Sequence, residues 1–191
     1  MSSFATAVAH WSDLDADRLA TLRGLFVRRD VGAREPVSLP GSTAHEILFV
    51  ERGLLRFYYP GDDGRESNKA FIVEGEFAGA LAAAHLRLPI LYGIEALEPT
   101  VVLAAPVDAF ADLMDRDPAY DRLGRKLAER ILARKELRTR SLLLQSAAER
   151  YADLVRERPD LLQRVPLYHL ASYLGVTDVH LSRVRRQAAS E

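Results

Sequence analysis

The sequence predicts an α+β chain: an N-terminal antiparallel β-barrel or jelly roll, then a long helix, then a C-terminal helix-turn-helix. Three observations carry this. Short β-prone runs separated by Gly/Pro turns fill the stretch from Val37 to Ala104. Helical propensity takes over near Pro118 and lasts to the end. Residues 166–187, from Pro166 to Gln187, join an Ala-x3-Gly-x5-Leu frame to a helix cap and outward arginines. With 191 residues, 48% of them hydrophobic, the chain can bury one substantial core and a small appended module.

Residues 12–27 form an amphipathic helix in this reading, capped by Ser12 or Asp15, with Leu14, Leu19, Leu22 and Leu25 as its apolar positions. The texture changes after Asp30. Val37 and Leu39 open a strand that Pro40-Gly41-Ser42 closes. Glu46–Glu51 and Leu54–Tyr59 are β-prone runs hinged at Arg52-Gly53. The turn cluster Pro60-Gly61-Asp62-Asp63-Gly64 then sends Arg65–Val73 back as another strand. Tyr92–Leu97 and Thr100–Ala104 make a further pair, turned at Glu98-Pro99.

Pro118 starts a long helix through about Gln145, with Leu123, Leu127, Ile131, Leu137 and Leu144 as an apolar line that Arg134 interrupts. So long a helix must pack on a partner, either the barrel of its own chain or the same helix of a second subunit. Two-fold related half-sites need two recognition helices, so the second partner is favoured, with Leu123, Leu127 and Ile131 at the dimer contact. Ala147–Arg158 is the next helix, and Asp160–Val165 links it to the terminal hairpin.

In that hairpin Pro166 suits a first helical turn, and Leu167, Leu170, Ala171 and Leu174 give the first helix a buried face. Gly175 supplies the positive φ of the tight turn. Thr177 caps the second helix, with Leu181 and Val184 inward and Asp178, Ser182, Arg183 and Arg186 outward. Small Ala171 lets the helices cross closely. An exposed, arginine-bearing helix in this frame suits a DNA major groove.

The charge is divided accordingly. Residues 1–118 hold 11 Lys/Arg against 18 Asp/Glu, a net −7, and residues 119–191 hold 15 against 9, a net +6. An acidic front and a basic back fit a sensor joined to a polyanion-binding end. There are no cysteines, which excludes disulfides and thiol chemistry and agrees with a reducing cytoplasm. No signal peptide or membrane-length apolar run is visible, so a soluble cytoplasmic protein without membrane contact is expected.

Barrel, long helix and helix-turn-helix in this order resemble the Crp/Fnr family of bacterial transcription regulators. The resemblance is carried by Gly53-Leu54-Leu55-Arg56-Phe57-Tyr58, by Gly75-Glu76-Phe77-Ala78-Gly79, and by Leu170-Ala171-Ser172-Tyr173-Leu174-Gly175-Val176 with Leu181-Ser182-Arg183. It implies a cyclic-nucleotide-binding-like sensor domain over 1–117, a dimerisation helix over 118–145 and a helix-turn-helix DNA-binding domain over 146–191. It also implies a homodimer that binds operator DNA through Thr177, Asp178, Val179, Ser182, Arg183 and Arg186. Two departures stand out. The β-hairpin wing that often precedes the motif is short or absent, since only Gln163-Arg164-Val165 stands before Pro166. Valine at 179, where the family tends to read bases with a polar side chain, can touch only a thymine methyl.

The sensor pocket departs further. Members that bind cyclic AMP hold the phosphate with an arginine and backbone N–H groups, and the ribose with a glutamate. Here Gly75, Glu76 and Gly79 keep the backbone frame, but Ala80 stands at the glutamate's place and Ile90 at the arginine's. Arg87 is the nearest substitute and reads as a solvated loop residue. The expectation is an effector other than cyclic AMP, or a pocket filled by side chains.

Two rivals belong to other classes. A metal-dependent cupin enzyme needs clustered ligands, whereas His10, His45, His85, His169 and His180 are all well separated. No nucleophile–base constellation appears either, so neither catalysis, a metal nor another cofactor is expected. The alternative reading is a dimeric ligand-binding barrel that acts through protein–protein contacts rather than DNA.

Overall fold

Short runs with turns between them can satisfy their edges and bury their apolar sides by closing two sheets over each other, and the computed structural model has this architecture. It describes residues 4–43 and 45–188, so residues 1–3, 44 and 189–191 of the expected segments lie outside it. Helices α1 (Phe4–Ala9) and α2 (Ala16–Gly24) precede strands β1 (Val27–Val31), β2 (Pro36–Ser38), β3 (Glu46–Arg52), β4 (Leu54–Pro60), β5 (Glu66–Val73) and β6 (Phe77–Gly79). Then come α3 (Leu81–Leu86), β7 (Gly93–Ala96) and β8 (Thr100–Pro106). The rest is helical: α4 (Val107–Arg116), α5 (Pro118–Leu144), α6 (Ala147–Glu157), α7 (Pro159–Arg164), α8 (Leu167–Leu174) and α9 (Asp178–Ala188). The strands form two antiparallel sheets, in the orders β1-β8-β3-β6 and β2-β7-β4-β5, packed as a jelly roll.

Both outer faces of the roll are covered, which explains why β3 and β4 read as near-continuous apolar runs. Leu48, Val50, Leu55 and Phe57 point between the sheets. Ile47 and Phe49 point the other way, into a second core with Phe4 and Val8 of α1, Leu22 of α2, Phe110 of α4, and Leu123 and Leu127 of α5. Leu54 and Phe71 on the outside of the second sheet join a third core with Leu161, Val165, Leu170, Leu174 and Leu181. The C-terminal helices are therefore packed on the barrel of their own chain. Gly53 makes the tight β3–β4 hinge possible: its φ is +99°, and a Cβ there would sit 2.4 Å from Thr100 Oγ1.

Several elements differ from expectation. The first expected helix is shorter, because the Asp15 side chain accepts from Arg18 N and fixes the start of α2 three residues after Ser12. Leu39 is 57% exposed and lies beyond β2. The segment 160–165, expected as a link, lies mostly in the helical turn α7, started by Pro159. Leu123 and Leu127 face the chain's own barrel, and Ile131 is half-buried beside it. Of the three residues expected at a dimer contact, Leu123 and Leu127 are thus buried within their own chain.

Candidate nucleic-acid interface and sensor barrel

Helix α8 ends at Gly175, whose φ of 69° lets its N–H return to Ser172 O while Val176 N reaches Ala171 O at 3.0 Å. Thr177 caps α9: its hydroxyl accepts from His180 N at 3.2 Å and its carbonyl from Leu181 N at 2.9 Å. Leu181 and Val184 are buried, while Asp178, Val179, Arg183, Arg185 and Arg186 are exposed. Val179 presents an apolar spot, 58% exposed, between the charged positions. Ser182 Oγ donates to Asp178 O within the helix at 2.9 Å, leaving its lone pairs outward. The expected residues thus share one face of one helix. A further support is the capping box at the start of α6, where Ser146 and Glu149 satisfy each other's backbone N–H groups. No strand follows β8 among the described residues, and α7 stands where the family's wing would be.

The opposite side of this unit is tied to the barrel by polar contacts that sequence reading missed. Asn68 N on β5 donates to Ser172 Oγ at 2.9 Å, and Ser172 Oγ donates to Glu66 O at 3.0 Å. Asn68 Nδ2 lies 3.1 Å from His169 Nδ1 and 3.3 Å from His169 O. Burial pushes the His169 imidazole down to about 4, with the nearby Arg56 guanidinium adding to the effect, so the ring is neutral and accepts from Asn68. Arg164 of α7 makes paired contacts with Glu74 at 2.9 Å and Glu98 at 2.6 Å. These carboxylates hold Arg164 well above the usual arginine range, and Arg164 helps hold Glu74 below the usual carboxylate range. Beneath the interface Arg56 is buried against Glu66 at 2.6 Å and Glu95 at 3.0 Å. Each of these residues reads in the sequence as an ordinary polar surface residue; nothing in local pattern marks contacts a hundred residues apart.

The interruption of the α5 stripe also acquires a structural reason. Arg130 lies 4.7 Å over Trp11, Arg134 pairs with Glu76, and Arg138 lies 4.1 Å over Tyr173 of α8. The barrel-facing side of α5 thereby touches the N-terminal helices, the β5–β6 turn and the helix-turn-helix in succession.

The sensor residues sit together, but around a filled interior. Gly75, with φ of 81°, donates to Val50 O, and Glu76 Oε2 accepts from Val73 N, so Glu76 is committed to the turn and to α5. A Cβ on Gly79 would meet Glu46 O at 2.6 Å, because β6 lies close on β3. Ala80 and Ile90 are buried between the sheets with Tyr92, Phe57 and Ile94. The hollow lined by Val37, Ser38, Glu46, Leu48, Ala80, Ile90 and Ile94 has a volume of about 10 Å³. That is room for a water, not for a nucleotide, whose pockets run to roughly 300–1,000 Å³. Arg87 takes a left-handed φ of 52° at the end of α3 and is exposed, away from this interior. His45 Nε2 lies 2.9 Å from Leu88 O, and among the described residues no three His, Asp or Glu side chains are placed to hold a metal.

Residues 28–117 match the family model of the cyclic nucleotide-binding domain. Joined to α5 and the helix-turn-helix, this domain gives the chain the fold of the Crp/Fnr transcription regulators. Among solved structures it is similar to a CooA variant from Carboxydothermus hydrogenoformans, with 17% identity, a TM-score of 0.74, and coverage of 100% of this chain and 86% of that one. FixK2 from Bradyrhizobium japonicum matches with 21% identity and a TM-score of 0.74 over 86% of this chain and 85% of that one. The c-di-GMP-responsive global regulator CLP from Xanthomonas campestris matches with 18% identity and a TM-score of 0.70 over 92% of each chain. No match was found among curated proteins. Among the described residues no helix is long and apolar enough to cross a membrane.

Proposed function

We propose that the protein is a homodimeric, cytoplasmic DNA-binding transcription regulator, with a sensor over 1–117, a dimerisation helix over 118–145 and a DNA-binding domain over 146–191. The observation that carries this reading is α9: a capped helix, anchored by Leu181 and Val184, that presents Arg183, Arg186, Asp178 and Val179 on one exposed face. Arg183 has no partner among the described residues and is free to reach a base edge. Arg183→Ala is expected to cost about 1–3 kcal/mol of operator binding and to relax specificity, while Arg186→Ala weakens binding more evenly across sequences. Selection of random duplexes by mobility shift checks this. Absence of an enriched sequence, with no loss in Arg183→Ala, would overturn the reading and favour the protein–protein alternative, as would binding that is insensitive to salt.

Cyclic AMP is not the effector in this reading. Ala80 and Ile90 offer neither a carboxylate nor a cation, and opening the packed interior to a phosphate would leave it with backbone donors alone. Titration calorimetry with cyclic AMP and cyclic GMP is expected to show dissociation constants around the millimolar level, roughly −4 kcal/mol. A value near or below about 10 μM for either nucleotide contradicts the assignment.

A further inference from the structure

The hydrogen-bonding side chains around the start of α9 are largely turned back onto the helix. Thr177 Oγ1 accepts from His180 N at 3.2 Å, and Asp178 Oδ1 accepts from Val179 N at 2.9 Å. Ser182 Oγ donates to Asp178 O at 2.9 Å, and Arg186 Nε donates to Ser182 O at 3.3 Å. What these contacts leave at the front is apolar. The buried pair Leu181 and Val184 fixes which way the helix faces. At about 100° per residue they point about 200° and 140° round from Val179, so the outward direction falls within about 10° of Val179 itself. Arg186 stands about 20° to one side of it and Arg183 about 40° to the other, while His180 and Arg185 lie about 100° and 120° away on the flanks. A branched apolar side chain, 58% exposed, thus occupies the centre of the exposed face with arginines beside it.

Valine gains nothing at an exposed helical position: it is stiff at χ1, a modest helix former, and here it covers no core of its own chain. Its burial has to come from outside. The first residues of a recognition helix are the ones that meet base edges in a major groove. Valine carries no donor or acceptor for those edges. The group it matches there is the methyl at C5 of a pyrimidine, carried by thymine and, after modification, by 5-methylcytosine. Arg183 follows one helical turn later, about 6 Å along the axis, which spans about two base-pair rises. We propose that Val179 reads a C5 methyl group in each half-site, that of thymine or of 5-methylcytosine, within about two base pairs of the base that Arg183 contacts. The proposal rests on the DNA-binding reading above and names what the centre of that face selects. The contact senses the methyl and not the pairing edges. With 5-methylcytosine as its source, methylation of the DNA tunes affinity without any ligand in the barrel.

The test uses the full chain and the operator selected from random duplexes. Each thymine of a half-site is replaced singly by uracil, which removes the methyl and leaves both pairing edges unchanged. One such replacement per half-site should weaken binding about fourfold, the worth of one buried methyl, and the others should have little effect. At the sensitive position 5-methylcytosine should bind about fourfold tighter than cytosine, with guanine opposite in both duplexes. Val179→Ala, at an exposed position where thermal melting should not change, is expected to erase both contrasts. Arg183→Ala should weaken binding yet keep them. A contrast between thymine and uracil, with none between 5-methylcytosine and cytosine, supports the methyl contact and assigns it to thymine. Operator binding that ignores uracil at every position, or a methyl contrast that persists in Val179→Ala, overturns the proposal and leaves the DNA-binding reading standing. Selection that enriches no sequence removes both together.

Discussion

Glutamate at Leu132 and Leu143 together is expected to leave the chain folded but monomeric, whereas glutamate at Leu127 alone is expected to break the fold. The contrast follows from the two faces of α5. Leu127 is 5% exposed and packs with Phe4, Phe110 and Leu123 against the barrel, so a carboxylate there costs several kcal/mol, about 3–5, in lost packing and desolvation. Leu132 is 66% exposed and Leu143 75% exposed, and their separation of eleven residues is close to three helical turns, which puts them in one line. Leu137 and Leu144, also exposed, lie about 120–140° further round the helix and do not belong to this line. Leu132 and Leu143, aligned on the face of α5 turned away from Leu123 and Leu127, make an apolar stripe that a second copy of the same helix would bury. Light scattering should give a dimer for the parent and a monomer for Leu132→Glu/Leu143→Glu, with unchanged thermal melting of the barrel. Operator affinity should fall, because one recognition helix reaches only one half-site. A double variant that keeps the parent mass at micromolar concentration would remove this face from consideration.

How far the sequence revealed the molecule depended on whether a feature was local. The β3–β4 and β4–β5 turns, the long helix from Pro118 and the whole α8–turn–α9 unit were legible because glycine, proline and cap residues act within a few positions. β1 was not. Its Arg28, Arg29 and Asp30 are polar and exposed, and the strand exists because β8 pairs with it and because Arg28 and Arg29 pair with Glu51 and Glu46 of β3. The α5 stripe was legible as an apolar line, but Leu123 and Leu132 look alike in sequence, and only the packed barrel decides which side each takes. In the same way Ala80 and Ile90 could be read as missing ligands, yet their burial with Tyr92 and Phe57 shows them filling the roll. Arg164, His169 and Asn68 were invisible for a single reason: each acts across a long sequence separation, on partners no periodicity connects.

His169 makes the docking of the helix-turn-helix on the barrel sensitive to acid, and the effect should be large. The ring is buried and neutral, its Nδ1 facing Asn68 Nδ2 at 3.1 Å, with Arg56 close by. Protonation would remove the acceptor and place a cation beside a buried guanidinium. Desolvation first, and Arg56 second, lower the folded value from 6.5 to about 4, against a smaller opposing pull from Glu95 and Glu66. Between these two values the undocked chain binds more protons than the docked one, so stability rises with pH across that window and is lost as pH falls from about 6.5 to 4. Full linkage would amount to about 3 kcal/mol, with half of it gone near pH 5. The Glu74–Arg164 pair persists to lower pH, because its carboxylate is held below the ordinary glutamate value, so acid should release the Asn68–His169 contact first. Amide hydrogen exchange in α8 is therefore expected to accelerate between pH 7 and pH 5 while β3 and β8 stay protected. His169→Gln keeps an acceptor for Asn68 without a titrating group and should flatten the response. A His169 resonance that titrates near 6.5, or an undiminished acid response in His169→Gln, would show that the histidine is a bystander at this interface.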